Sequence, residues 1–110
     1  MLRMSFARRA VLCAVLGGLA VPAASWSEEA ATVVIDNFTF SPNVLNVAVG
    51  TGVTWTNHDD IPHSIVMGAL QVRSKAMDTD KSFSYKFEKA GTFFYVCGLH
   101  PHMQGKVVVK

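Results

Sequence analysis

Residues 92–109 read TFFYVCGLHPHMQGKVVV. β-Branched and aromatic residues crowd both ends, and the loop CGLHPHM at 97–103 separates them. Such runs around a Gly- and Pro-bearing loop read as two strands and their connection. In 92–97 the period-two alternation places Phe93, Tyr95 and Cys97 on one face. Cys97 then ends a strand facing inward, where the loop begins. Upstream, 82–87 (SFSYKF) alternates cleanly. Phe83, Tyr85 and Phe87 share one face, opposite Ser82, Ser84 and Lys86, and 88–91 turns the chain. Further strands are read at 32–38 (TVVIDNF), 44–49 (VLNVAV), 53–57 (VTWTN), 63–67 (HSIVM) and 106–109 (KVVV). Gly50-Thr51-Gly52 supplies a turn between the second and third of these. Residues 68–80 are the least regular and read as a loop or an irregular edge strand. No amphipathic helix of three turns and no internal repeat is visible. Short alternating strands with frequent turns predict an all-β, antiparallel sandwich or barrel. Trp55, Phe83, Tyr85, Phe93 and Tyr95 are its expected core.

The other end of the chain reads as an address. Residues 1–9 are MLRMSFARR, an apolar run fills 10–20, and Pro22, Ala23, Ala24 and Ser25 follow. A basic start, a short apolar stretch and small residues make a secretory signal peptide, residues 1–27, with cleavage expected between 23 and 27. The apolar run is about half of the roughly 20 residues that span a bilayer, so no stable membrane insertion is expected once the signal is removed. The Arg8-Arg9 pair suits the twin-arginine route, but its surroundings match only in part, so general secretion to the periplasm is expected. Cys13 leaves with the peptide.

Export changes the composition. The full chain of 110 residues carries a formal charge of +2, with 50% hydrophobic and 16% charged residues. That excludes a disordered chain and gives no nucleic-acid footprint. Arg3, Arg8 and Arg9 leave with no acid, so residues 28–110 hold seven Lys/Arg against eight Asp/Glu, near −1. One cysteine, Cys97, remains, so no internal disulfide can staple this small domain. A metal is the natural substitute.

The loop carries the donors for one. Cys97-x2-His100-x2-Met103 places a thiol, an imidazole and a thioether on one short segment, and His63 opens a distant strand after the 58–62 loop. A thiolate and two imidazoles with a weak axial thioether form the donor set of a blue-copper site. Soft sulfur favours Cu(I), and imidazole accepts both oxidation states. The distant His63 closes the site and is expected to tie the two sheets together, so folding positions the ligands before the metal arrives.

Residues 95–109 (YVCGLHPHMQGKVVV) with 53–63 (VTWTNHDDIPH) resemble the cupredoxin family, and the likeness extends over most of 32–110. The two-residue gap between His100 and Met103 is similar to the amicyanin type of loop rather than the longer plastocyanin type. The resemblance implies a two-sheet Greek-key β-sandwich over 28–110 and one copper per domain. It implies strong ligands His63, Cys97 and His100, with Met103 on the axis. Asn57 matches a family asparagine that ties the two ligand loops together. Gly98 stands where relatives often carry Ser or Thr, so one hydrogen bond to Asn57 is expected to be missing. His102 replaces a bulky apolar residue and makes the rim more polar. The interval from His63 to Cys97 is also short for the family.

The expected function is a periplasmic, monomeric, non-enzymatic carrier that shuttles single electrons by Cu(II)/Cu(I) cycling. Redox partners would dock briefly near His100, on a weakly polar patch of Pro62, Leu99, Pro101 and His102. Copper storage or delivery with the same ligands is the competing role, which exposed Met67, Met77 and His102 would favour. An enzyme would need a further open copper position, and His58 and His102 do not build one. Met67 and Met77 are otherwise expected as packing or rim residues. His58 is expected at the surface, and Asp59 and Asp60 as a solvated turn at the copper end.

Overall fold

A computed structural model describes residues 29–110, so the signal peptide read at 1–27 and Cys13 lie outside the described residues. The strands are β1 (Ala30–Asp36), β2 (Thr39–Ser41), β3 (Val44–Val47), β4 (Thr51–Asn57), β5 (Val66–Met67), β6 (Val72–Arg73), β7 (Ser82–Phe87), β8 (Gly91–Val96) and β9 (Gln104–Val109). A 3-10 turn, Gly68–Leu70, interrupts them. They form two facing sheets, in the orders β2-β1-β4-β7 and β3-β9-β8-β5-β6.

Both sheets are mixed, which corrects the antiparallel expectation. β1 pairs with β4 in parallel, and β9 pairs with β3 in parallel. The reason is a double change of sheet. The chain leaves the first sheet after β2, lays β3 in the second, and returns as β4 beside β1, running the same way. Alternation along a strand reports which face is buried and carries no information about the neighbour's direction.

The alternation itself reads correctly. In β4, Val53 and Trp55 point inward and are fully buried, while Thr54 and Thr56 face outward. Outside, Thr54 meets Ser84 at 2.7 Å and Thr56 meets Ser82 at 2.8 Å, hydroxyl pairs that hold the β4–β7 register. In β8, Tyr95 is buried and Phe93 half-buried, while Phe94 faces solvent. Trp55 lies edge-on to Tyr95 at 5.3 Å, and Phe87 sits 5.6 Å from Phe93, so aromatic residues of the two sheets meet in the core. Met67 and Met77 are buried as packing residues.

The irregular stretch 68–80 resolves into the 3-10 turn, β6 and a return past His63. There Met77 and His63 form an isolated antiparallel bridge. Val66 of β5 pairs with Val96 of β8. The strands that follow His63 and precede Cys97 are therefore neighbours in one sheet, so His63 meets Cys97 within a sheet rather than tying the two sheets together.

Candidate metal centre

Loop 97–103 closes on itself through its backbone. Cys97 N–H donates to the Met103 carbonyl at 3.1 Å, His100 N–H to the Cys97 carbonyl at 3.3 Å, and Met103 N–H to the His100 carbonyl at 2.9 Å. Each of the three residues is thus tied to another. His63 is anchored separately by its paired backbone bonds to Met77, 2.7 and 3.2 Å long.

These anchors bring three donors together. Cys97 Sγ lies 3.6 Å from Nδ1 of His63 and 3.6 Å from Nδ1 of His100. The three atoms lie within 4.8 Å of one another, with His63 and Cys97 buried and His100 half-buried. A metal with bonds of about 2.0 Å to nitrogen and 2.3 Å to sulfur, at angles between tetrahedral and trigonal, requires a sulfur–nitrogen separation of roughly 3.5–3.7 Å. The observed spacing fits such an ion. Met103, joined to Cys97 and His100 through its backbone, is buried.

His63 is oriented by a residue read from the sequence only as part of a solvated turn. Its Nε2 lies 2.8 Å from Asp59 Oδ2. A carboxylate only accepts, so Nε2 carries the proton and Nδ1 presents its lone pair toward Cys97. Asp59 also accepts from Asn37 N–H at 2.6 Å and Phe38 N–H at 3.0 Å. Both donors lie in the β1–β2 turn, at φ 53° for Asn37 and 58° for Phe38. A phenylalanine there is strained by about 1–3 kcal/mol, and the carboxylate's grip on both amides offsets it. Burial pushes the Asp59 carboxyl up, but bonds from Phe38, His63 and Asn37 outweigh it and hold it below its ordinary value. Its stabilising effect is therefore complete above an unfolded pKa of about 3.9 and is lost as pH falls through the lower folded value. Asp59→Ala should cost about 2–3 kcal/mol, with Asp59→Asn retaining part of it. Thermal unfolding of the copper-loaded protein tests this, and an Ala variant as stable as the parent would refute it.

The turn also places Phe38 over both imidazoles. Its ring is edge-on to His63 at 5.5 Å and to His100 at 5.3 Å, yet the residue is 42% exposed. Asn37-Phe38 lacks the glycine that marks a tight hairpin turn, so nothing in the sequence flags it. Asp59 did leave a signal: a carboxylate is a common outer partner of a metal-binding histidine, and Asp59 lies four residues before His63.

Asn57 works differently from the family expectation. Its amide donates to the Ile61 and Met77 carbonyls at 2.8 and 2.9 Å, and its carbonyl accepts from Asp59 N–H at 2.8 Å. It braces the His63 loop against the Met77 segment. The tie to the cysteine loop passes to Ser64, whose N–H lies 3.4 Å from Cys97 Sγ and whose hydroxyl accepts from Gly98 N–H at 3.1 Å. Gly98 permits this, since a Cβ there would stand 2.7 Å from Ser64 Oγ. His58 and His102 are exposed, with the His102 ring 6.3 Å from that of His100.

The Cupredoxin-like domain family model matches residues 9–109. The chain is 36% identical over 93 residues to amicyanin of Paracoccus denitrificans, an alignment covering 80% of this chain and 71% of that protein. It is 33% identical over 84 residues to chloroplastic plastocyanin of Tetradesmus obliquus, covering 64% of this chain and 58% of that one. Among solved structures, the Cu(I) form of an amicyanin mutant matches with a TM-score of 0.71 at 36% identity, over 80% of this chain and 89% of that one. A purple cupredoxin from Nitrosopumilus maritimus matches with a TM-score of 0.68 at 33% identity, over 73% of this chain and 99% of that one. The family match spans His63 and the whole 97–103 loop, and the chain belongs to the cupredoxin-like family.

Proposed function

We propose that the chain is a periplasmic blue-copper protein that carries single electrons between transient partners. His63, Cys97 and His100 hold the metal strongly and Met103 supplies the axial thioether. The observation that carries this reading is the buried Cys97 thiol placed 3.6 Å from one nitrogen of each imidazole. Copper, when bound, supplies one-electron exchange between Cu(II) and Cu(I).

The protein's own contribution is rigidity and access. The backbone bonds within 97–103, the His63–Met77 bridge and the Asp59 carboxylate hold the donors, so little rearranges when the charge changes. His63 is sealed off, whereas the half-buried His100 offers an edge to solvent. Around it Phe38 and Leu99 are 42% and 50% exposed, and Pro62, Pro101 and His102 are exposed too. That rim suits brief docking. No helix among the described residues is long and apolar enough to cross a membrane.

Copper delivery has less support. Met67 and Met77, the thioethers that would pass copper on, are 0% and 3% exposed. The amicyanin and plastocyanin relatives favour a carrier over an enzyme.

The test is a spectrum with a redox titration. The Cu(II)-loaded, signal-free protein should show an intense visible band that bleaches on one-electron reduction and returns on oxidation. No intense band, or copper lost within one cycle, would overturn the reading.

A further inference from the structure

A second face of the molecule reaches the metal centre through His63 and the cysteine loop. Arg73, Lys75 and Lys81 line one open groove of about 420 Å³, with Met77, Ser82 and Phe83 among its other walls. All three cations are exposed, and none forms an ion pair among the described residues. They are three of the seven Lys/Arg in residues 28–110, a stretch whose net charge is near −1. Asp78 and Asp80 stand on the turn before Lys81, but neither lines the groove.

The groove touches the metal site twice. Met77 exchanges both backbone hydrogen bonds with His63, at 2.7 and 3.2 Å. Arg73 lies against the cysteine loop, with its guanidinium 3.6 Å from where a Cβ on Gly98 would be. Phe83 and Ala76 add apolar surface between the charges. A cationic, partly apolar groove on a domain of opposite net charge steers and seats a negatively charged protein surface.

We propose that this groove docks an acidic redox protein and admits its electron through the Met77 hydrogen bonds to His63. The inference rests on the electron-carrier reading and adds an entry distinct from the His100 rim. With copper bound, one electron would leave the partner's reduced centre, oxidising it by one unit, and would reduce Cu(II) to Cu(I). No covalent bond forms or breaks.

Hexacyanochromate(III), a paramagnetic and redox-inert trianion, maps such a surface on the Cu(I)-loaded protein by nuclear magnetic resonance. At low salt the amides of residues 73–76 and 81–83 should broaden first, and Lys75→Glu and Lys81→Glu should abolish that broadening. Lys89→Glu, with the same change in net charge but at the wall of a different pocket, should leave it intact. An oligoglutamate peptide should displace the probe. In parallel, the rate of reduction by hexacyanoferrate(II) should fall at least about threefold in the two groove variants, and this loss should shrink as salt screens the charges. Broadening centred elsewhere, or equal effects from all three variants, would overturn the proposal. Failure of the peptide to displace the probe would overturn a protein partner in favour of small anions. The mapping needs no electron transfer, so a carrier that fails to cycle and a groove that fails to bind are told apart.

Discussion

Cys97→Ser should yield a folded protein without the intense visible band and without reversible one-electron cycling. Serine is nearly isosteric, and Ser64 N–H can still meet the side-chain atom it now meets at 3.4 Å. The loop bonds linking residues 97, 100 and 103 involve backbone alone and persist. What changes is the donor. A serine hydroxyl is not ionised near neutral pH, whereas a thiol beside a metal is readily deprotonated. Oxygen also lacks the softness that favours Cu(I). Loss of a direct ligand should weaken Cu(I) binding by at least the roughly 10- to 100-fold that outer-shell changes cost. Absorption spectra and a competitive chelator titration read both effects, with circular dichroism as the folding control. A serine variant that keeps the band would show that the thiolate is not its source.

Gly105→Ala should be among the most damaging single-methyl additions in the molecule. Gly105 lies opposite Tyr95 in the β8–β9 pairing. A Cβ there would stand 2.5 Å from both Cζ and the hydroxyl oxygen of Tyr95. The tyrosine cannot step aside. It is 2% exposed, with Phe40 at 4.7 Å and Trp55 at 5.3 Å around it. Burial pushes its hydroxyl pKa up to about 12, opposed by the Trp55 side chain, so it stays a neutral phenol held by packing. Overpacking at such a site costs about 3 kcal/mol, which lowers the thermal midpoint by roughly 15 °C in a domain of this size. Because Tyr95 is two residues from Cys97, copper retention should weaken as well. The cause is checked by a double-mutant cycle, in which Ala at 105 should cost much less in a Tyr95→Leu background. Equal costs in both backgrounds would refute the clash.

Residue pattern alone carried much of this molecule. Residue type and turn signals, with period-two alternation in β4, β7 and β8, located seven of the nine described strands to within a few residues, and β7 at its bounds. They failed at β2, whose three residues bury only Phe40 and are too short to display a period. β6 was legible only as irregular edge, because two residues of strand between a 3-10 turn and a loop have no alternation to read. The donors at 97, 100 and 103 were legible because they share one short loop, where sequence spacing is almost spatial spacing.

The remaining features are contacts between distant segments. Asp59 grips amides 21 and 22 residues away, and Ser64 reaches Cys97 and Gly98 across 33 and 34. Phe38 lies over His63 and His100 because β1 and β2 carry their turn to the same end of the sandwich. Arg73, Lys75 and Lys81 become one groove only when β6 and the start of β7 flank Met77. The sequence by itself determined the strand faces and the chemistry of the donor loop. These depend on residue type and local spacing, which a linear chain displays. Tertiary structure alone decided the parallel pairings, the carboxylate that orients His63, the serine that replaces Asn57 at the cysteine loop, and the cationic groove. Each of those is set by which strands become neighbours, and alternation along one strand says nothing about that choice.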